Sequence, residues 1–224
     1  MYQMFYSTNN PCSLVDPNIG GWDVSRVTNM GYMFYNCQYL NGDLSNWNVE
    51  SVVTMNDIFG GCSKFNSDIS AWQTLSLENI AGAFFVAWDF NSDLSKWTMS
   101  KVTTLKSTFY WARSFNSDIS KWDISNVNNM NAVFAGGATS FNADISKWNV
   151  GNVTNMIDMF DNCPKFINSI NGYRWNKQYW KIVKEMVKTR AIAFYWLEQS
   201  SISSYAPNGA GRKRDIEAFI EWNC

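Results

Sequence analysis

The sequence contains no histidine, so it lacks the side chain that most often serves as a general base near neutral pH and as a metal ligand. It also lacks any uncharged apolar run approaching ~18 residues, which excludes a membrane-spanning helix. The first ten residues contain no basic segment followed by an apolar one, and this predicts no signal peptide. Net charge is only −1, so the whole chain has no general attraction for nucleic acid or membranes. We therefore expect an intracellular location without membrane insertion.

Catalytic motifs are missing as well. We find no Gly-x-Ser-x-Gly element, no Walker loop and no dinucleotide-binding fingerprint. The glycine-rich stretch 208–213 lacks the Walker spacing and follows no predicted strand. Serine and aspartate residues without a nearby base do not make a nucleophile. The sequence thus predicts a protein that is not an enzyme, with no catalytic residues and no cofactor.

A tryptophan recurs every 25 or 26 residues, and other apolar residues keep the same phase. Val or Leu follows each tryptophan by five residues, Met, Leu or Ile by eight, and Phe by twelve. The repeated tryptophans are Trp22, Trp47, Trp72, Trp97, Trp122 and Trp148. Six units in one phase indicate a tandem-repeat protein, in which each unit buries its apolar face against its neighbours.

Each unit shows two periodicities. The pattern Trp-x-Val, as in 47–49, alternates with period two, which is typical of a short strand. Val52, Met55 and Phe59 are three and four residues apart, which places them on one face of a short helix. Asn-Ser-Asp or Asn-Gly-Asp then supplies turn residues.

The repeat resembles that of the BspA-like leucine-rich repeat family. The residues that carry the resemblance are Asp-Ile-Ser-Lys-Trp-Asp-Ile-Ser-Asn-Val-Asn-Asn-Met at 118–130, together with Met33-Phe34, Cys37 and Phe115-Asn116. Similar repeats occur in mycoplasma lipoproteins, microbial eukaryotes and large DNA viruses. The resemblance covers roughly residues 18–170 and implies a solenoid used for protein binding, often at cell surfaces.

Together these observations predict an α/β repeat solenoid that is leucine-rich-repeat-like, with a short strand plus a helical segment in each unit. We predict a degenerate N-terminal capping unit over 1–21, a six-unit solenoid over 22–170 and a basic helical C-terminal cap over 171–224. The charge supports the last boundary: residues 1–170 contain 9 Lys+Arg and 14 Asp+Glu, whereas residues 171–224 contain 9 and 5. An extra residue near 138–140 is predicted to form a local bulge.

Two columns of equivalent residues suggest ligands but have simpler explanations. The aspartates Asp43, Asp68, Asp93, Asp118 and Asp144 are candidates for a calcium ladder or, as we favour, for Asx turns that accept backbone N–H groups. The five cysteines are Cys12, Cys37, Cys62, Cys163 and Cys224, an odd number that favours a reducing compartment. Three of them share a phase in which other units have Ala87, Ala112 and Gly137, so small buried thiols are favoured over a metal site or disulfide. We predict no metal.

The middle units carry additional aromatic residues. Phe85 and Trp88 follow the repeated Phe84, and Tyr110 and Trp111 follow the repeated Phe109. Most other units lack large rings at these places, so this excess suits either a protein-binding surface or packing under a loop or the tail.

A basic column precedes three successive tryptophans. It consists of Lys96, Lys121 and Lys147, and it suits either an acidic or phosphate-bearing partner or a solvated surface balanced by nearby aspartates. Because the repeat region is acidic, we expect no nucleic-acid partner.

We therefore predict a non-enzymatic protein-interaction or scaffold module whose protein partner contacts the four aromatics and three lysines. Two alternatives stay open at this point. One is a structural component packed into a larger assembly, such as the particle of a large DNA virus. The other is an exported surface adhesin.

Overall fold

The computed structural model describes residues 1–5, 18–145 and 147–166. We call each stretch from one repeated tryptophan to the next a coil, which gives coils 1 to 6 at 22–46, 47–71, 72–96, 97–121, 122–147 and 148–166. Five isolated parallel bridges join neighbouring coils, at Asn29, Thr54, Asn79, Thr104, Asn129 and Asn155. The spacing of these bridges is the spacing of the repeat, so equivalent residues of successive coils lie one above another.

The prediction of a strand and a helix in each unit is wrong. Within the described residues, the helix with defined bounds is a single 3-10 turn, Ile19–Gly21, and residues 164–166 are helical at the end of the described chain. The Trp-x-Val stretch 47–49 is not a strand, and 55–62 is a run of turns. The fold is a stack of turn-rich coils rather than an α/β solenoid.

The hydrogen bonds of coil 2 explain why the helical spacing misleads. The N–H groups of Ile58, Gly60 and Cys62 each bond the carbonyl three residues earlier, at 3.0–3.1 Å, which makes successive β-turns. The alternate N–H groups, at 55, 57, 59 and 61, instead bond carbonyls of coil 3 at 2.6–2.9 Å. Every second N–H is thus used between coils, so none of these donors is available for a helical i to i−4 bond.

Two residues in each coil have a left-handed backbone, which ends any right-handed helix at once. The first column contains Tyr32, Asp57, Gly82, Ser107, Ala132 and Asp158, and the second contains Asn36, Gly61, Val86, Trp111, Gly136 and Asn162. All have φ between 51° and 75°. These positions turn the chain so that apolar residues spaced by three and four still point inward.

The core consists of stacked aromatic columns. One column runs through the repeated phenylalanines, with centroid separations of 5.6–5.8 Å between neighbours from Phe5 to Phe160. A second runs from Phe65 to Phe166, and the repeated tryptophans stack beside them. Such ring pairs contribute ~0.5–1.5 kcal/mol each beyond their buried area.

Buried polar groups are satisfied between coils. The indole N–H of each tryptophan from Trp47 to Trp148 donates to a backbone carbonyl 28 or 29 residues earlier in the chain, at 2.9–3.2 Å. An asparagine column does the same on the surface: the side-chain oxygens of Asn41, Asn66, Asn91 and Asn116 accept backbone N–H groups of the following coil at 2.7–2.9 Å. These bonds fix the register of one coil on the next.

The extra residue of coil 5 lies at the Gly136–Gly137 pair, not at 138–140. Ala138 is fully buried and accepts a hydrogen bond from the N–H of Phe141 at 3.1 Å, as Ala112 does from Phe115 at 3.2 Å. Ala138 rather than Gly137 is therefore the equivalent of the cysteine column. Both glycines have positive φ, at 70° and 109°, and this freedom accommodates the insertion.

Several predictions concern residues outside those described. The C-terminal cap over 171–224, Cys12 and Cys224 belong to this group, as does most of the 1–21 unit. Where the structure does describe the chain, no helix is long and apolar enough to cross a bilayer.

Candidate functional site

Backbone hydrogen bonds between coils 3, 4 and 5 position the four aromatics named from the sequence. The Val86 N–H, next to Phe85, donates to the Tyr110 carbonyl at 2.7 Å. The Trp111 N–H donates to the Ala135 carbonyl at 2.9 Å. The Trp88 carbonyl in turn accepts the N–H of Ser114 at 3.0 Å. The rings are therefore mounted on a hydrogen-bonded framework rather than on free loops.

The structure brings these rings together around an arginine. Phe85 and Tyr110 stack with centroids 5.1 Å apart and planes inclined by 14°, and Trp111 lies 6.5 Å from Tyr110. The Arg113 guanidinium carbon lies 4.8 Å from the Trp88 ring centroid and 5.2 Å from that of Trp111. We call Phe85, Trp88, Tyr110, Trp111 and Arg113 the aromatic–arginine patch.

The sequence left two explanations of the additional aromatics, an exposed binding surface and internal packing, and each describes part of this patch. Trp88 is 36% exposed and Arg113 is exposed, whereas Phe85, Tyr110 and Trp111 are half-buried. Trp111 lies over Gly136, so closely that a Cβ at that glycine would overlap the indole. Trp111 therefore packs against the next coil, while the outer part of the patch remains in contact with solvent.

Sequence reasoning did not identify Arg113. It occupies the place in coil 4 that Trp88 occupies in coil 3, 25 residues earlier, and this equivalence is visible in the sequence. Its backbone is held by coil 5, since the Arg113 carbonyl accepts the Ser140 N–H at 3.0 Å and the Thr139 hydroxyl at 3.3 Å. Because equivalent residues of successive coils lie one above another, the 25-residue spacing places Arg113 next to Trp88.

The backbone is strained at Trp111 of the patch and at Val86, which directly follows Phe85. Val86 and Trp111 both have φ of 58°, in a region that β-branched and bulky residues seldom occupy. The equivalent residues of coils 2 and 5 are Gly61 and Gly136, which adopt it without a Cβ penalty. Such strain costs ~1–3 kcal/mol per residue and is concentrated in proteins at functional positions.

The three lysines lie on a different part of the coils, beside the aspartate column. Lys96, Lys121 and Lys147 are all exposed. Hydrogen bonds from the hydroxyl and N–H of Ser120 lower the pKa of Asp118, and Lys121 and Lys147 lower it further. The structure therefore places the lysines next to carboxylates that balance their charge, and not in the aromatic–arginine patch.

Four of the five aspartates are seen to form the Asx turns favoured from the sequence. The carboxylates of Asp43, Asp68, Asp93 and Asp118 each accept the N–H of the serine two residues later, at 2.8–2.9 Å. These bonds lower the pKa of all four carboxyl groups. Across the described ranges, no three His, Cys, Asp or Glu side chains are grouped so that they could hold a metal ion.

One carboxyl group has a raised pKa rather than a lowered one. Burial raises the pKa of Asp57, although hydrogen bonds from Tyr32 and Asn56 counteract part of this rise. The Asp57 side chain lies over Gly82, where any Cβ would overlap it. The sequence gives little sign of this group, because the position of Asp57 is Tyr, Gly, Ser or Ala in four other coils and Asp only in coil 6.

The described cysteines are buried thiols, not disulfides. Cys62 donates to the Phe34 carbonyl at 3.0 Å and Cys163 to the Ala138 carbonyl at 3.4 Å, in each case across to the preceding coil. Burial raises the pKa of Cys163 to about 12, so its thiolate is scarcely populated at neutral pH. These thiols fill narrow spaces in the core.

Comparison with known proteins gives a single family. A family model described as "Mycoplasma protein of unknown function, DUF285" matches residues 1–112 and again residues 78–195. The two matches overlap and together span most of the 224-residue chain. No curated protein matches the chain significantly, and neither does any solved structure.

Proposed function

Because the chain belongs to the family described as Mycoplasma protein of unknown function, DUF285, we propose a function from its surface: a non-enzymatic protein-binding module that uses the aromatic–arginine patch. We also propose that its repeat is related to that of the BspA-like proteins, on the residues at 118–130. The resemblance implies protein binding, which agrees with the character of the patch.

The observation that carries the proposal is the clustering of three kinds of binding residue on adjacent coils. Tryptophan, tyrosine and arginine are the residues most enriched at the energetic centres of protein interfaces. Here Arg113 lies over the rings of both Trp88 and Trp111, and Trp111 lies beside Tyr110. Few other large apolar side chains of the described coils are as exposed as Trp88, and those that are, such as Tyr39 and Leu75, are not part of a ring cluster.

The rigidity of the patch also supports binding. Its backbone is bonded to coils on both sides, and the Arg113 side chain lies against two rings. A surface whose side chains are already ordered loses little conformational entropy on association. The lysine column lies apart from the patch, beside the aspartates, and stays a separate predicted surface for an acidic or phosphate-bearing partner.

The test is affinity capture from a native extract with quantitative mass spectrometry. Three full-length proteins are compared: wild type, Trp88→Ala/Trp111→Ala, and Tyr39→Ala as a matched control, because Tyr39 is a 66%-exposed aromatic outside the patch. Circular dichroism of each variant establishes that it is folded. We expect one protein partner that wild type and the control recover equally and that the double variant recovers at least ~10-fold less.

Other outcomes would favour the alternatives. Recovery of a whole set of particle proteins in fixed ratio, or of this chain alone, would indicate a structural component of an assembly. Capture of a cell-surface partner that depends on the lysines but not on Trp88 would indicate another face. A defined turnover abolished by one substitution would contradict the proposal that the protein is not an enzyme.

A further inference from the structure

Arg113 is an exposed cation that is held in place without an acidic partner. Its guanidinium lies 4.8 and 5.2 Å from the centroids of the Trp88 and Trp111 rings, within the range of cation–π attraction. It forms no salt bridge within the described residues. The acidic residue nearest in sequence to Trp88, Asp89, pairs instead with Lys64 at 3.0 Å.

Among the residues that the structure describes, the guanidinium N–H groups have no hydrogen-bond acceptor. A guanidinium carries five N–H donors in one plane, and contact with rings occupies its faces rather than that edge. The edge of such a group matches a carboxylate, which accepts two parallel N–H bonds. Contact with two indoles restricts the Arg113 side chain in advance, so little rotamer entropy remains to be lost when the carboxylate binds.

The side chains around Arg113 indicate which other groups a ligand needs next to its carboxylate. The exposed part of Trp88 and the stacked Phe85–Tyr110 pair offer an apolar surface that spans coils 3 and 4. A ligand that contacts both therefore needs an anionic group next to apolar side chains.

We propose that the aromatic–arginine patch binds an acidic linear segment of a partner protein, in which an Asp or Glu carboxylate pairs with Arg113 and neighbouring apolar side chains pack on Trp88 and Phe85. This inference rests on the proposed function and adds the chemistry of the partner. Charge complementarity selects an acidic segment over a proline-rich one, which would use the rings alone.

The experiment uses a random 12-residue peptide library displayed on phage and selected on the full-length protein. Peptides retained by Trp88→Ala/Trp111→Ala protein are removed before sequencing. Selected peptides are then made with a fluorescein label, together with versions in which each Glu or Asp is replaced by Gln or Asn. Anisotropy titrations compare wild type with Arg113→Gln, Arg113→Lys and the control Lys101→Gln, which removes an exposed cation outside both the patch and the lysine column.

We expect the selected peptides to be enriched in acidic residues. Loss of the peptide carboxylate and Arg113→Gln should each weaken binding ~10- to 100-fold, and the two changes together should weaken it hardly more than either alone. Arg113→Lys should also weaken binding, because an ammonium cannot form the paired bonds. Lys101→Gln should bind as wild type does. Thermal melts of the Arg113 variants establish that loss of binding is not loss of fold.

Three results would overturn the inference in distinguishable ways. Peptides that require Trp88 but are indifferent to Arg113 and to their own acidic residues would refute the acidic-segment proposal and leave the binding surface intact. Selection of no peptide that depends on Trp88 and Trp111 would refute the surface itself. A fluorescent oligothymidine that binds through Arg113 while all peptides fail would show that the patch recognises phosphate on a single strand instead.

Discussion

The second left-handed position of each coil is occupied by residues of very different suitability. Gly61 and Gly136 adopt positive φ freely, and Asn36 tolerates it, whereas Val86 does so against the steric preference of a β-branched side chain. The left-handed conformation costs an L-residue ~1–2 kcal/mol. Coil 3 therefore carries local strain directly between Phe85 and Trp88.

Replacing Val86 by glycine should relieve that strain. We expect Val86→Gly to raise the free energy of unfolding by up to ~1 kcal/mol, since the relief exceeds the entropic cost of a new glycine and the loss of a half-buried side chain. Urea denaturation followed by tryptophan fluorescence measures the change. The control is Val53→Gly, at a half-buried valine without positive φ, which should lower stability by ~1 kcal/mol or more. If both variants lose the same stability, Val86 is not strained.

At the scale of the single coil, some large residues face a glycine at the equivalent position of the next coil. Tyr35 lies over Gly60, Asp57 over Gly82 and Trp111 over Gly136. At these three positions the larger residue of one coil is accommodated by a glycine in the next. This complementarity couples the composition of adjacent coils, and it explains why Trp111 of coil 4 is followed by Gly136 in coil 5.

We expect Gly136→Ala to lower the free energy of unfolding by ~2–4 kcal/mol. The new Cβ would overlap the Trp111 indole, and alanine would have to adopt φ of 70°. Combining it with Trp111→Ala should remove the steric part and leave ~1–2 kcal/mol of backbone strain. Denaturant titration of the single and double variants gives the coupling energy.

The control for this prediction is Gly21→Ala. No atom lies within 4 Å of a Cβ built there, and its φ is not positive. This variant should be nearly neutral. If Gly136→Ala were as mild as Gly21→Ala, the packing of Trp111 on coil 5 would be incorrect, and the ring would have to lie further out in solvent.

For the whole molecule, the Asx turns make stability depend on pH. Hydrogen bonds from serine lower the folded-state pKa of Asp23, Asp43, Asp68, Asp93, Asp118 and Asp123 below the ordinary 3.8. A carboxyl group of this kind stabilises the fold above its unfolded-state pKa, and that contribution is lost as pH falls through the folded-state value. Asp57, whose pKa is raised, acts in the opposite sense: its contribution declines as pH rises above 3.8.

Because six groups oppose one, stability should fall as pH decreases below about 4. Replacing Asp68, Asp93 and Asp118 together by Asn should make this fall shallower, because an amide oxygen accepts the same N–H without titrating, as Asn48 and Asn149 already do. Urea midpoints at pH 7, 5, 4 and 3 measure the slope. Glu50→Gln/Glu78→Gln removes acidic charge outside these turns and should retain the wild-type slope. An unchanged slope in the triple variant would contradict the assignment.

The sequence by itself determined the repeat and its period, the inward-facing residues, the Asx role of the aspartates and the small-residue role of the cysteine column. These features depend on which residue types recur and at what spacing, and the chain displays both directly. The four aromatics were also visible, since Phe85, Trp88, Tyr110 and Trp111 depart from the pattern of the other coils.

Only the tertiary structure determined which backbone conformation the repeat adopts and which of the residues that depart from the repeat contact one another. Apolar spacings of three and four residues fit a helix and a chain of β-turns equally well, and the choice depends on hydrogen bonds to a neighbouring coil. Arg113 was missed for the same reason: its partner Trp88 lies 25 residues away, and contact between them exists only once the coils are stacked in register. Local sequence sets what each coil can contain, whereas the bonds between coils fix its conformation and its surface.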